Sequence, residues 1–376
     1  MKFRVERDAL ADAVAWAARS LPVRPSVPVL AGLLIEAGDE GLVLSTFDYE
    51  TSARATLTAE VSDEGKALVS GRLLADICRS LPNKPVDMFI DGAKVSLTCG
   101  AARFSLQTMP VEDYPTLPDM PTATGTVQSD VFARAVSQAV TAAGRDDMLP
   151  VLTGVRIEID GSSIALLATD RFRLSQCEIV WDPRTQDESV AALVPAKVLA
   201  DTAKSLTSGS VVTIALSSGG SGAGIIGFEG AAPGGVRRTT TRLLDGEFPK
   251  VRSLFPTEHQ TTVTLDREEL IESVKRVALV AERNTAVQLE FSDGKLKLDA
   301  GADDAQATEE IDATIDGEDI TTGFNPQFLL DGLSAIEASV VELAFTQASK
   351  PVVMGGKADD DASGFRYLLM PRRLLS

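Results

Sequence analysis

Stripes of helical period and runs of strict alternation follow one another along this chain in a fixed order, and the order repeats. In RDALADAVAWAARS, Leu10, Ala13, Val14 and Ala17 fall on one stripe. In SDVFARAVSQAVTAAG, Phe132, Ala135, Val136, Ala139 and Ala143 do the same. Asp8 and Asp130 stand where an N-cap belongs. Downstream come two nearly identical phrases, VPVLAGLLIE and LPVLTGVRIE, which set Pro28 and Pro150 122 residues apart. Each phrase reads as a strand. Each then alternates apolar and polar residues around a Gly or Asp turn, the pattern of an antiparallel hairpin. A fainter third copy has the helix LDREELIESVKRVALVAERN and the hairpin AVQLEFSDGKLKLDAGADDAQATEEI, without the PVL tripeptide.

A second helix recurs in SGRLLADICRSLP, VPAKVLADTAKSLT and FNPQFLLDGLSAIE, marked by Asp76, Asp201 and Asp331. In the first of these, Leu73, Leu74, Ile77 and Leu81 are the expected core face. Pro-containing segments at 110–121 and 249–257 read as joints. The pattern predicts an α+β chain of three like domains, at 1–120, 121–256 and 257–376. Three units of about 125 residues are too few and too long for a solenoid, whose periods run about 20–50 residues.

Composition narrows the class. The chain is 44% hydrophobic and 24% charged, as expected of a globular protein. No apolar run is long enough to span a bilayer, and the N-terminus lacks a signal-peptide pattern, so no membrane partner and a cytoplasmic location are expected. Cys78, Cys99 and Cys177 are odd in number and far apart, which predicts buried thiols and not a disulfide framework. His259 is the one histidine, which disfavours a His-rich zinc site or a Ser-His-Asp triad. GGSGAG at 219–224 lacks the Lys and Ser/Thr of a phosphate loop. Asp359, Asp360 and Asp361 lack EF-hand spacing. Arg237 and Arg238 read as strand surface. No catalytic residue, cofactor or metal is implied.

The net charge of −18 argues against a protein that grips nucleic acid over its whole surface. Basic residues nonetheless gather on helix faces: Arg72 and Arg79; Arg134, Arg145 and, with them, Gln138; Lys197 and Lys204; Lys275, Arg276 and Arg283. Acidic residues concentrate in loops and strands. A basic strip recurring on matching helices is the electrostatic footprint of nucleic acid.

RPSVPVLAGL near Arg24, LPVLTGV at 149–155, ATDRFRL at 168–174, DGEFPKVRSLFP at 245–256, FNPQFLLDGL at 324–333 and YLLMPRRL near the C-terminus occur in order over the whole chain. Together they make the chain resemble the bacterial DNA polymerase III β subunit, the sliding-clamp family. The resemblance implies three DNA-clamp domains, antiparallel sheets outside and helices lining the inner face, and two chains joined head to tail in a homodimeric ring. About twelve helices of roughly 10 Å each would enclose a hole of roughly 35–40 Å. Duplex DNA would be held topologically and without base readout, so a high phosphate affinity is not needed. Arg24 would join the helix cations in facing DNA. The function implied is a non-enzymatic processivity factor that tethers the replicative DNA polymerase, with the clamp loader and other proteins bearing a clamp-binding motif as further partners.

Carried over residue by residue, the partner-peptide cleft would comprise Leu152, Thr169, Arg171, Phe172, Arg173, Leu174, Pro249, Ser253, Leu254, Asn325, Phe328, Leu368, Leu369, Met370, Pro371 and Arg372. It would take a short Gln- and Leu-containing peptide. The dimer interface would use Phe104 and Leu106 on one edge strand against Ala278 and Leu279. Arg171 and Phe172 stand where many relatives carry Gly and a His or Tyr. Ser253 and Arg372 also depart from relatives, and Leu375 and Ser376 extend past the usual end. These departures bear on partner preference. Two alternatives are a second-copy clamp with altered partner or inhibitor binding, and a carboxylate-based hydrolase drawing on the 54 acidic residues; no acidic pair sits in a recognisable catalytic motif.

Overall fold

The structure is a computed structural model and describes residues 1–185, 189–217, 224–281, 285–302, 304–357 and 364–373. It has six α-helices among these residues: α1 Arg7–Ala17, α2 Gly71–Ser80, α3 Ser129–Val140, α4 Ala196–Ser205, α5 Arg267–Val277 and α6 Pro326–Ala335. All six fall where the helical stripes predict, two to each repeat. Asp8 lies within the first turn of α1, after the cap position Glu6, and Asp130 lies within the first turn of α3, so neither is an N-cap. Both still face the positive end of the helix dipole. In α5 the cap is real: the Asp266 side chain accepts the Glu269 N–H.

The repeated PVL phrase is not strand throughout. Pro28–Ala31 and Pro150–Thr153 are single 3-10 turns, and the strands begin only at Gly32 and Gly154. Proline fixes φ near −65° and suits the first position of such a turn. The hairpins follow as predicted, with Gly32–Gly38 on Gly41–Phe47, Gly154–Asp160 on Ser163–Thr169, and Val287–Ser292 on Lys295–Ala302.

By mutual contact the chain falls into two units where the sequence shows three repeats. One comprises Met1–Ala133, Trp181–Gln186 and Ala200–Leu243; the other comprises Arg134–Val180, Asp187–Leu199 and Leu244–Ser376. The physical reason is main-chain pairing across repeat boundaries. In the first unit, strand Gly235–Arg242 of the middle repeat pairs antiparallel with Thr51–Leu57 of the first. The result is one 14-stranded sheet. In the second unit, Arg173–Val180 pairs with Arg366–Leu369 inside a nine-stranded sheet, and a four-stranded sheet carries the third hairpin.

In the first unit α1 and α2 bury Leu10, Val14, Leu74 and Ile77 against Leu33, Ile35, Leu44 and Val69. Leu73 lies about 100° around the helix from Leu74 and is exposed, contrary to the sequence reading. A smaller cluster joins Leu30, Leu34, Phe47 and Tyr114. The Phe47 N–H donates to Tyr114 Oη at 2.8 Å, and burial pushes that phenol up to about 12. Arg237 also departs from the sequence reading. It is buried, ion-paired with Asp12 at 2.5 Å, with its guanidinium 5.1 Å from the Trp16 ring centre. Arg238 pairs with Glu229 on the partly exposed side. All three cysteines are buried. Burial pushes the Cys78 thiol up to about 12, leaving it unreactive at neutral pH.

Candidate functional site

The turn from Thr169 to Arg173 organises one corner of the second unit. Asp170 Oδ1 accepts the N–H groups of Phe172 at 3.0 Å and Arg173 at 3.1 Å. Thr169 Oγ1 accepts the Arg171 N–H and donates to the Arg173 carbonyl at 2.7 Å. These bonds hold Arg171 at φ +79°, a left-handed conformation, and leave the Phe172 ring 56% exposed. The Phe172 carbonyl accepts the Met370 N–H at 2.9 Å, which hooks the C-terminal segment to the turn.

Beneath the turn lies Arg173, 5% exposed. Its Nε donates to Asp170 Oδ2 at 2.9 Å and its Nη1 to Asp331 Oδ2 at 2.6 Å. Its guanidinium carbon lies 4.2 Å from the centre of the Phe328 ring. Burial opposes its charge, but Tyr367, Asp331 and Asp170 outweigh that and raise its pKa. Tyr367 Oη donates to the Phe328 carbonyl at 2.9 Å. Phe328 is placed by the start of α6, where Asn325 Oδ1 accepts the N–H groups of Gln327 and Phe328. The Phe172 and Phe328 rings then stack, with centres 6.4 Å apart.

These groups border a hollow of about 500 Å³. Of the sequence-derived cleft residues, Leu152, Arg171, Phe172, Arg173 and Phe328 line it. Gly144, Asp170, Gln327 and Asp331 line it too and were missed by the sequence reading, as was Arg145 in this role. The signal for Asp331 was present, since it marks the repeated second helix. Pro249 and Ser253 border a separate hollow of about 370 Å³ with Arg156, Glu158 and Arg252. There, burial pulls the Glu158 carboxyl upward, but hydrogen bonds from Arg156 and Arg252 hold it below its ordinary value. Leu254 and Met370 are exposed apolar side chains, at 56% and 42%. Pro371 and Arg372 are half-buried, and the Arg372 N–H donates to the Gly323 carbonyl. Four residues of the set do not offer an open surface. Thr169 is buried within the turn, Leu174 and Leu368 are core because strand alternation points them inward with Leu167, Phe248 and Phe255, and Leu369, next along the strand, is buried on its other face.

The basic residues divide by environment. Arg24, Arg145, Lys197 and Lys204 are exposed and have no acidic side chain in ion-pair range among the described residues. Arg72 donates to the Pro22 carbonyl at 3.1 Å. Four others carry partners: Arg79 with Asp76, Arg134 with Glu337, Lys275 with Glu272 and Arg276 with Glu309. These are solvent-accessible pairs of little net worth and are easily exchanged for phosphate. Arg283 lies outside the described residues, as do 219–223, 359–361, Leu375 and Ser376. Gln138, expected on the outer face of α3, is buried, with its Nε2 donating to the Ala335 carbonyl at 3.1 Å.

Several strands among the described residues leave an edge open, and two eight-residue ones bear on assembly. Ala102–Met109 pairs along its length with Lys94–Cys99, but on its other side only through Thr108 and Met109. Ala305–Asp312 pairs only with Lys295–Ala302. Leu106, expected at a subunit interface, is 2% exposed and belongs to the core of the first unit, with the Phe104 ring packed against that core. What the first strand turns outward is main chain with Arg103, Ser105 and Gln107. Ala278 is half-exposed and Leu279 is 84% exposed, in the 3-10 turn that ends α5.

Family models for the DNA polymerase III beta subunit match the chain in three successive pieces. The N-terminal domain matches residues 1–118, the central domain 126–250 and the C-terminal domain 252–373. The chain belongs to the DNA polymerase III beta subunit family. Among relatives within this beta subunit family, the beta sliding clamp of Streptomyces coelicolor is 58% identical, with 100% of both chains covered. The beta sliding clamp homolog GriR of Streptomyces muensis is 45% identical over 99% of each. Among solved beta subunits, the one from Thermotoga maritima aligns at a TM-score of 0.89 and 26% identity over the full length of both chains. The Pseudomonas aeruginosa sliding clamp bound to griselimycin aligns at 0.90 and 26%, again over both full lengths. These matches favour a beta subunit over a carboxylate-based hydrolase.

Proposed function

We propose that this chain is a sliding clamp: two copies close head to tail around duplex DNA and tether the replicative polymerase, the clamp loader and other partners without performing chemistry themselves. The observation that carries this is the succession of three beta subunit domains over the whole length. Its place of action is the cytoplasm; no helix among the described residues is long and apolar enough to cross a membrane. The three domains are assigned to 1–120, 121–256 and 257–376. The higher identity to the S. coelicolor clamp than to GriR supports a general clamp over a specialised second copy.

The apolar groups Phe172, Phe328, Leu254 and Met370 are the proposed peptide seat, with Arg173 fixing the turn from below. An apolar surface with a few fixed polar groups suits a short peptide. The exposed cations Arg24, Arg72, Arg145, Lys197 and Lys204 are the proposed DNA contacts, with the ion-paired ones as reserves. Their number is modest for a chain of net charge −18, which fits retention by encirclement better than by grip. The open edges Ala102–Met109 and Ala305–Asp312 are the proposed subunit seams, where main-chain pairing would satisfy both.

Retention on DNA tests the whole reading. Loaded by its ATPase onto a nicked circle, the protein should stay bound through gel filtration and be lost when the circle is cut. Equal retention on both forms would exclude encirclement. A second expectation concerns the seam. Leu279→Asp should shift the chain from dimer to monomer in sedimentation, because it places a charge on an exposed apolar group. An unchanged dimer would remove Leu279 from the interface.

A further inference from the structure

We propose that Arg171 is a specificity-determining residue of the peptide seat, and that it selects partner segments carrying an aspartate or glutamate beside their apolar anchors. This rests on the reading of the hollow as a partner site. The first observation is conformational. Arg171 sits at φ +79°, where an L side chain costs on the order of 1 kcal/mol that glycine avoids. The turn dictates that φ, since Thr169 takes the Arg171 N–H and Asp170 takes those of Phe172 and Arg173. A glycine would satisfy it without strain, so the guanidinium at this rim is carried at a conformational cost.

The second observation is electrostatic. Arg171 and Arg145 both line the hollow, and neither has an acidic side chain in ion-pair range among the described residues. Two acidic side chains of the lining, Asp170 and Asp331, are both engaged by Arg173 from below. The third, Asp146, accepts the Met148 N–H. The rim thus offers unspent donors above apolar rings, and a carboxylate on the incoming peptide completes them with charge-assisted hydrogen bonds. Duplex DNA is the competing source of anionic oxygens, and the test separates the two.

Fluorescence anisotropy would compare a neutral peptide, Ala-Ala-Gln-Leu-Ala-Leu-Leu-Ala, with the set in which aspartate replaces each alanine in turn. At least one aspartate should tighten binding to the full-length dimer about 3- to 10-fold. Asparagine at the same place should not. Arg171→Gly should abolish that ratio and Arg171→Lys should keep part of it, with the melting temperature of the glycine variant no lower than that of the parent. Absence of any aspartate preference, or its survival in Arg171→Gly, would overturn the proposal. So would an intact preference accompanied by faster loss of Arg171→Gly from nicked circles, which would assign the residue to DNA. If the parent protein bound none of the peptides, the peptide seat itself would fall.

Discussion

Arg173→Ala should destabilise the second unit by about 3 kcal/mol, read from urea unfolding of the full chain. Deleting one partner of a buried ion pair commonly costs about 3–5 kcal/mol, because the charges left behind have been stripped of water. Here the low end applies, since solvent reaches Asp170 and Asp331 at 17% and 26% of their side-chain surface. The guanidinium also supports the Phe328 ring and lies 3.5 Å from Tyr367 Oη, so peptide binding should fail in the fraction that remains folded. Arg173→Lys should not rescue it. A lysine brings one point charge to a place where a planar fork reaches two carboxylates and stacks on a ring. A loss below about 1 kcal/mol would mean that the residue has no net weight in the fold.

The second large effect belongs to the exposed anchors. Leu254→Ala combined with Met370→Ala should weaken binding of a Gln- and Leu-containing peptide on the order of 100-fold, as expected when two apolar anchors are truncated. The same change should move stability by no more than about 0.5 kcal/mol per site, because both side chains already face water. Calorimetry on the dimer and its melting curve give both numbers. Binding within about 3-fold of the parent would remove these two residues from the seat. Leu174 is not an equivalent probe. It is buried against Phe248 and Leu368, and Leu174→Ala would cost about 2–5 kcal/mol through a cavity.

Much of the fold was legible from period alone. Six helices and three hairpins lie where stripes and alternation placed them, because each element must hide one apolar face. The misses came from contacts that the pattern does not carry. Arg237 looks like a surface residue in VRRTTTR, yet a carboxylate and an indole from a helix more than two hundred residues away make room for it. Gln138 falls on the polar side of α3 by spacing and is buried by its bond to the Ala335 carbonyl. Leu106 and Leu368 carry the right residue type for an interface, but strand alternation turns them inward, and a motif does not report which way a side chain points. The motif ATDRFRL was enough to put the turn at Asp170 into the proposed cleft. That Asp170 itself, with Asp331, anchors the buried arginine required the distances.

The same turn is built a second time. At Asp48–Thr51, Asp48 Oδ1 accepts the N–H groups of Glu50 and Thr51, Tyr49 sits at φ +76°, and the Glu50 carbonyl accepts the Arg242 N–H. The two copies share these bonds and the positive φ while differing at nearly every side chain.

The ladders that join neighbouring repeats bear on how such a chain can diverge. Strand Gly235–Arg242 knits to Thr51–Leu57, and Arg173–Val180 to Arg366–Leu369, through backbone ladders, with the hydroxyl pairs Thr51–Thr241 and Ser52–Thr240 added along the first. A seam of amides reads strand length and register and is blind to residue identity. Once a duplicated gene has closed such seams, drift at the facing positions leaves them intact, whereas a single inserted residue would shift every side chain beyond it to the opposite face. Substitutions that leave the buried face intact should therefore accumulate along these strands, and insertions should be confined to the loops. That tolerance offers a reason why the third repeat could lose its PVL phrase and still keep the architecture of the other two.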